Sequence, residues 1–291
     1  MLRNIVLLTL AVIVSSCAKE TKNGPPPDTA TSGSFELLAD EALKPAIDSL
    51  VAGFNKQTPE AKVTVRYTDA AKALDELIGS KTRLVIIGRP ISDAERHILD
   101  SAKIDLPEFE VALDGLAVVV SSKSSLNSIS LDSIKKLVSG DLKMQYYSTS
   151  YLSSTESVLD SIFGFKNKTL AGYIKRFNST DSVIAAVKSD PAGIGFIGSS
   201  WMHSLTAKGD SSVKALRISS EKSPQPVMLH LAYLYQGNYP LASRVCAYTV
   251  EVPNSIPRGF LAYAMSADGQ RVFMKHDVLP RTQIIKLVPP Q

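Results

Sequence analysis

The sequence predicts an α/β protein built on mostly parallel sheet, and three observations predict it. Between residues 35 and 88, strand-like and helix-like apolar patterns alternate in the order βαβαβ. The third strand of that series, LVIIG at 84–88, is apolar at every position before its glycine, as a strand covered on both faces has to be. The chain also has the length for two lobes of ordinary domain size, since 275 of its 291 residues remain once residues 1–16 are set aside as a leader.

The leader is MLRNIVLLTLAVIVSSCAKE. An early Arg3 precedes an apolar run from Ile5 to Val14, too short for the about 20 residues that span a bilayer, so it reads as a signal peptide. Its ending, Val14-Ser15-Ser16-Cys17, resembles a bacterial lipoprotein box, in which Cys17 becomes the lipidated amino terminus and a membrane anchor. Residues 17–33 are polar and rich in Pro, Gly, Ser and Thr, the composition of a flexible tether. Only Cys246 is then left as a thiol. Inside the alternating run VCAYTV it reads as a small core residue.

Phe35 to Ala39 forms the first strand. The helix after it carries Ala42, Leu43, Ala46, Ile47, Leu50, Val51 and Phe54 on one face. KVTVRY at 62–67 alternates as a second strand, 70–78 is a second helix, and LVIIG closes the series. VALDGLAVVVSS at 111–122 is a β-rich segment long enough to cross from one lobe into another. A short helix with Leu131, Ile134, Leu137 and Val138 ends at Ser139-Gly140. A second nucleus holds a polar stretch at 146–155, a helix with Val158, Leu159, Ile162 and Phe163, another helix near 183–187, and AGIGFIG. After a polar segment from 204 to 226, MLHLAYLY and VCAYTVEV are expected as strands, and a last helix near 258–265 precedes SADGQRVFMKHDVLP. There is no internal repeat.

Several of these blocks resemble the phosphate-binding proteins that serve ABC transporters. DGLAVVVSSKSSLNSISLDSIKKLVSG is similar to that family's crossing strand and following helix, and AAVKSDPAGIGFIGSSW to its Gly-Ile-Gly-aromatic block. YPLASRVCAYTV and GFLAYAMSADGQRVF resemble its return strand and its terminal helix ending in Ser-x-x-Gly-Gln. With LVIIGRPISDAE, the matches run in family order from about Gly33 to Leu287. The resemblance implies a periplasmic-binding-protein fold of the second type, two α/β lobes joined by a two-strand hinge and closing over a ligand. The division expected is 34–117 plus 232–291 for lobe 1 and 118–231 for lobe 2. It also implies an extracytoplasmic, lipid-anchored, monomeric protein in the periplasm or on the cell surface. Such a protein captures phosphate or a related small oxyanion for an ABC transporter permease. The alternative is a protein of the same fold whose altered site serves a sensor or a surface or assembly component.

The resemblance also implies the site residues. Where the family has Gly followed by Ser and Thr, this chain has Ala39, Asp40, Glu41 and Ala42, so the hydroxyl donors there are replaced by two carboxylates at a helix start. Arg89 can pair with an oxyanion, or with Asp40 or Glu41. Ser153, Ser154 and Thr155 can cap a helix or donate to a ligand. No basic residue flanks that motif at 148–151 or 156–157. Asp114, before Gly115 on the crossing strand, is either a hinge feature or a ligand contact. Trp201 either lines the cleft or packs.

Composition argues against other classes. A net charge of +4 without a basic block gives no reason to expect nucleic acid. His97, His203, His230 and His276 are scattered, with no metal-ligand spacing, and the Ser-rich runs lack a Gly-x-Ser-x-Gly elbow, so neither an enzyme, a metal nor a cofactor is expected.

Overall fold

The computed structural model describes residues 28–165 and 173–282. The leader, Cys17 and the chain through residue 27 lie outside the described residues, as do 166–172 and 283–291. The tether expected to reach Gly33 ends sooner among them: Asp28 pairs with Arg83, Thr29 and Ser32 close a small turn, and Gly33 already belongs to the first strand.

Lobe 1 opens with β1 (Gly33–Asp40), a 3-10 turn (Glu41–Leu43), α1 (Lys44–Gln57), β2 (Ala61–Thr68), α2 (Ala70–Ile78), β3 (Val85–Ile87) and α3 (Asp93–Ser101). β1 pairs in parallel with β2 on one side and β3 on the other, which is the βαβαβ unit read from the pattern. β4 (Glu108–Ser121) follows, and after it the chain builds lobe 2. This comprises β5 (Ser128–Ser130), α4 (Leu131–Ser139), β6 (Gln145–Ser148), α5 (Ser154–Phe163), β7 (Tyr173–Arg176), α6 (Thr180–Ser189), β8 (Ile194–Gly198), α7 (Ser199–Ala207), β9 (Val213–Ala215), β10 (Arg217–Ser219) and α8 (Leu231–Tyr235). The return to lobe 1 supplies β11 (Ala242–Tyr248), α9 (Ile256–Met265), α10 (Ala267–Lys275) and β12 (Leu279–Pro280).

β4 is the crossing the sequence predicts. Its first half, through Gly115, lies between β11 and β12 in the lobe 1 sheet; its second half, from Leu116, lies between β8 and β9 in the lobe 2 sheet. The return passes beside it, where Leu116 N–H donates to the Leu241 carbonyl at 2.8 Å and the Tyr239 hydroxyl donates to the Leu116 carbonyl at 2.8 Å. Leu231, Leu234, Tyr239 and Leu241 are buried in the lobe 2 core, while Val245 and Cys246 are buried in lobe 1. The chain therefore changes lobes at Leu241–Ala242.

Each sheet is covered on both faces. In lobe 1, α1, α9 and α10 bury Ile47, Leu50, Phe54, Phe260 and Phe273 on one side, and α2 and α3 bury Leu74, Leu77 and Leu99 on the other. Lobe 2 repeats the scheme with α4, α5 and α8 on one face and α6 and α7 on the other. Each large side chain buried in this way contributes about 1.5–3 kcal/mol before entropy is set against it. Cys246 is fully buried in lobe 1, as its alternating context predicts.

Two readings of the C-terminal third are corrected. MLHLAYLY forms no strand: from Leu231 it is α8, started by His230, whose Nδ1 accepts from Ala232 N–H. A short apolar run does not declare its period, and here Leu231 and Leu234, three apart, face the same core. The helix near 258–265 is not the last either: Ser266 follows it as expected, but SADGQRVFMKHDVLP opens a further helix. Ser266 ends α9 and caps α10, accepting from Gly269 N–H, so the chain bends there into a second helix.

Candidate functional site

In an open α/β sheet the crevice lies at the carboxyl ends of the strands, where consecutive strands diverge to opposite sides. In lobe 1 that point is β1/β3, whose carboxyl ends deliver Asp40 and Gly88-Arg89. In lobe 2 it is β6/β8, delivering Ser148 and Gly198-Ser199. The two points face each other. A Cβ on Gly88 would stand 3.1 Å from Ser154 Cβ, and one on Gly198 would stand 2.7 Å from the Ala42 carbonyl oxygen, each across the cleft. Between them lies a cavity of about 20 Å³ lined by Gly88, Asp114, Ser154, Thr155, Gly198 and Ser243 among others. That is room for about one water with the lobes as they stand.

Asp40 is buried as the cap of the 3-10 turn. It accepts from Ala42 N–H at 3.2 Å and from Gly88 N–H at 3.5 Å. Burial pushes its pKa up; Ser154, the two N–H groups and the Arg89 charge act against that rise. Asp114 lies at the β4 crossing and accepts from Gly115 N–H at 2.8 Å and from the Ser199 N–H at 3.3 Å and hydroxyl. Burial, with the nearby Asp40 adding to it, raises Asp114 to about 6. The hinge and contact readings of Asp114 thus meet in one residue: it sits where the chain changes lobes and it lines the cavity.

Glu41 is not in the cavity lining. Its carboxylate reaches lobe 2 and accepts from Thr180 N–H at 3.1 and 3.2 Å and from the Thr180 hydroxyl at 2.6 Å. Its carbonyl accepts from Trp201 Nε1 at 3.1 Å, so Trp201 both packs and joins the lobes.

Arg89 does not make the pairing with Asp40 or Glu41 expected of it. The guanidinium turns away from Asp40 and Glu41 and binds Glu95 bidentately, at 2.7 and 2.6 Å, with a further bond to the Pro90 carbonyl at 2.9 Å. Glu95 is the third residue of α3 and forms a capping box with Ser92. Its carboxylate therefore sits one short turn from Arg89, and this local pairing outcompetes the longer reach to Asp40.

Of Ser153, Ser154 and Thr155, one takes the capping role and two line the cavity. Ser153 caps α5, accepting from Glu156 N–H at 3.4 Å. Ser154 and Thr155 are buried against the cavity, with the Ser154 side chain turned toward Asp40 and its hydroxyl without a hydrogen-bond partner of normal geometry. The N–H groups of this first turn are ones a helix leaves without acceptors. No basic residue flanks this motif in sequence, but one reaches it from another strand: Arg176, at the end of β7, pairs with Glu156 at 2.9 Å and lies outside the cavity lining.

Thr180, Ser199, Gly198, Ser243 and Arg176 were not singled out from sequence. Only Gly198, within AGIGFIG, carried a signal, since a glycine ending a buried strand marks a close approach of backbone. The cavity wall has one carboxylate, Asp114, with hydroxyls, backbone and the apolar Leu116 and Val158, and no Lys or Arg among its lining residues; Asp40 lies behind the wall, 3.6 Å from where a Cβ on Gly88 would stand. Such a wall accepts protons from a guest as readily as it donates to one.

Two α/β lobes, two crossings and a small cavity at facing strand ends define a bilobal binding protein. The model of the PBP superfamily domain matches residues 24–268, and the chain belongs to that superfamily. Among curated proteins it is similar to the phosphate-binding protein PstS of Staphylococcus haemolyticus, 21% identical over 247 residues covering 78% of this chain and 75% of that one. Among solved structures it superposes on a candidate phosphate ABC transporter substrate-binding protein with bound phosphate from Clostridium perfringens. The TM-score is 0.74 at 16% identity, over 86% of this chain and all of that one. The effector-binding domain of QuiR in complex with shikimate has the same fold, with TM-score 0.55 at 15% identity over 80% of this chain and 95% of that one.

Proposed function

We propose that this chain is an extracytoplasmic substrate-binding lipoprotein that captures phosphate or a related oxyanion between its lobes for an ABC transporter permease. The observation that carries this reading is the cavity: it lies at two facing sets of strand ends and is lined by Ser154, Thr155 and Ser243 beside the start of α5. Ser154, Thr155 and the first-turn N–H groups of α5 donate to the oxyanion, and Asp40 and Asp114 accept the protons it keeps. The diprotonated phosphate monoanion, with a proton for each carboxylate, therefore fits better than the monoprotonated dianion or bare sulfate. The names of the curated relatives support phosphate as that ion.

In this reading Cys17 carries the lipid and residues 18–27 the tether, on the outer side of a membrane. Lobe 1 comprises the chain from Gly33 through Gly115 and from Ala242 on, and lobe 2 the part between, with divisions at 115/116 and 241/242 instead of the expected 117/118 and 231/232, in a monomer that performs no chemistry on its ligand. A second reading, the same fold serving a sensor or an assembly component, is favoured by one fact: Asp40, Glu41 and Glu95 already occupy the N–H groups and the guanidinium that an anion would use.

Isothermal titration separates the two. With the chain from Ala18, which keeps Asp28 on Arg83, heat with phosphate and weaker heat with sulfate are expected. No heat with phosphate, sulfate or arsenate supports the second reading.

A further inference from the structure

We propose that Glu41 is an internal latch that holds the two lobes closed when no ligand is bound. Glu41 stands at the end of β1 in lobe 1, and both of its polar ends are bound by lobe 2, on two different helices. The carboxylate takes the Thr180 N–H and hydroxyl at the first turn of α6, and the carbonyl takes the Trp201 indole N–H from α7. Thr180 and Trp201 are buried at 2% and 5% exposure and Glu41 is half-buried, so these bonds are partly sheltered from water.

The first turn of α6 offers N–H groups without intrahelical acceptors and the positive end of the helix dipole. Glu41 is an anion already attached to the opposite lobe, so it meets that turn at a high effective concentration. In a two-lobed binding protein the ligand's preference for the closed form drives closure. Glu41 supplies part of that preference from within the chain, and it does so outside the cavity, whose lining residues do not include it. Burial raises the Glu41 pKa, with Asp40 and Asp181 adding to the rise and the Thr180 donors opposing it.

The test reads the ligand-free molecule, so its outcome is separate from whether phosphate binds. Trp201 is the single tryptophan and sits in the latch, which makes its emission a reporter of opening. In full-length protein without ligand, Glu41→Ala is expected to red-shift Trp201 emission and enlarge the radius of gyration. Charge-assisted hydrogen bonds of this kind are expected to move the closed-to-open ratio by about tenfold or more. Thr180→Val, which removes the hydroxyl from the other side, is expected to shift both readouts in the same direction by less, and the double variant to open no further than Glu41→Ala. Adding phosphate to Glu41→Ala then restores the compact form. A Glu41→Ala or Thr180→Val protein as compact as the wild type overturns the latch, as does a wild type already open without ligand.

Discussion

Gly198 and the Ala42 carbonyl meet across the cleft so closely that a Cβ on Gly198 would lie 2.7 Å from that oxygen and 3.1 Å from Asp114 Oδ2. The two residues belong to different lobes, and the closed form depends on the absence of a side chain at 198. Gly198→Ala is expected to leave each lobe folded but to stop closure short. Phosphate affinity should fall by about tenfold or more, the equivalent of roughly 1.4 kcal/mol, while the melting temperature changes little. Titration calorimetry alongside thermal melting checks this; unchanged affinity would show that closure tolerates the methyl group.

On the proposed function, Asp40, buried beside the cavity, sets selectivity. A buried acceptor favours an anion that brings a proton and repels one that does not. Phosphate affinity is therefore expected to decline from pH 6 to pH 8 as the monoanion is lost, whereas affinity that rises steadily over that range contradicts the role. Asp40→Asn should shift the phosphate-to-sulfate preference toward sulfate by about tenfold, measured by competition between the two anions.

Asp114 makes stability depend on pH. Its folded value near 6 lies above its ordinary 3.8, so the folded state holds the proton more tightly than the unfolded chain does. The stability this gives is fully present below about 3.8 and is lost as pH rises through about 6. The shift corresponds to about 3 kcal/mol at most. Asp114→Asn keeps an acceptor for Gly115 and Ser199 but cannot ionise, so its unfolding free energy should vary less between pH 4.5 and 7.5 than that of the wild type. Equal slopes for the two proteins would assign the effect elsewhere.

Arg89 holds the start of α3 through Glu95. Removing the guanidinium leaves Glu95 largely buried beside fewer donors, so Arg89→Ala is expected to cost about 1–3 kcal/mol in chemical denaturation. Glu95→Gln, which weakens the pair from the other side, should lower stability as well and leave phosphate affinity within about threefold. A large gain in affinity on Glu95→Gln would mean instead that the freed Arg89 reaches the ligand.

What the sequence disclosed about this protein follows from what kind of information each feature needs. The βαβαβ unit and the crossing strand were legible because burial on one or both faces leaves a period in the residues themselves, as in LVIIG and VALDGLAVVVSS. α8 was not, because an apolar run of that length has no period of its own and was decided by the lobe 2 core. The site was legible in its local parts, Ser153 to Thr155 at a helix start and Asp40 at a strand end. Its pairings were not: Glu41 with Thr180 spans 139 positions and Arg176 with Glu156 spans 20, and neither distance leaves a pattern in the chain. Arg89 shows the opposite error, in which a partner six residues away, Glu95, prevailed over more distant acids that the family comparison had made conspicuous.

The most direct measurement is crystallographic. Arsenate has the shape and protonation chemistry of phosphate and scatters anomalously, so it marks its own position. In crystals grown with saturating arsenate, a single anomalous peak is expected in the cavity, within hydrogen-bond reach of Ser154, Thr155 and Asp40. A cavity without a peak, or arsenate bound only at the outer surface of the lobes, contradicts capture of a small oxyanion between them.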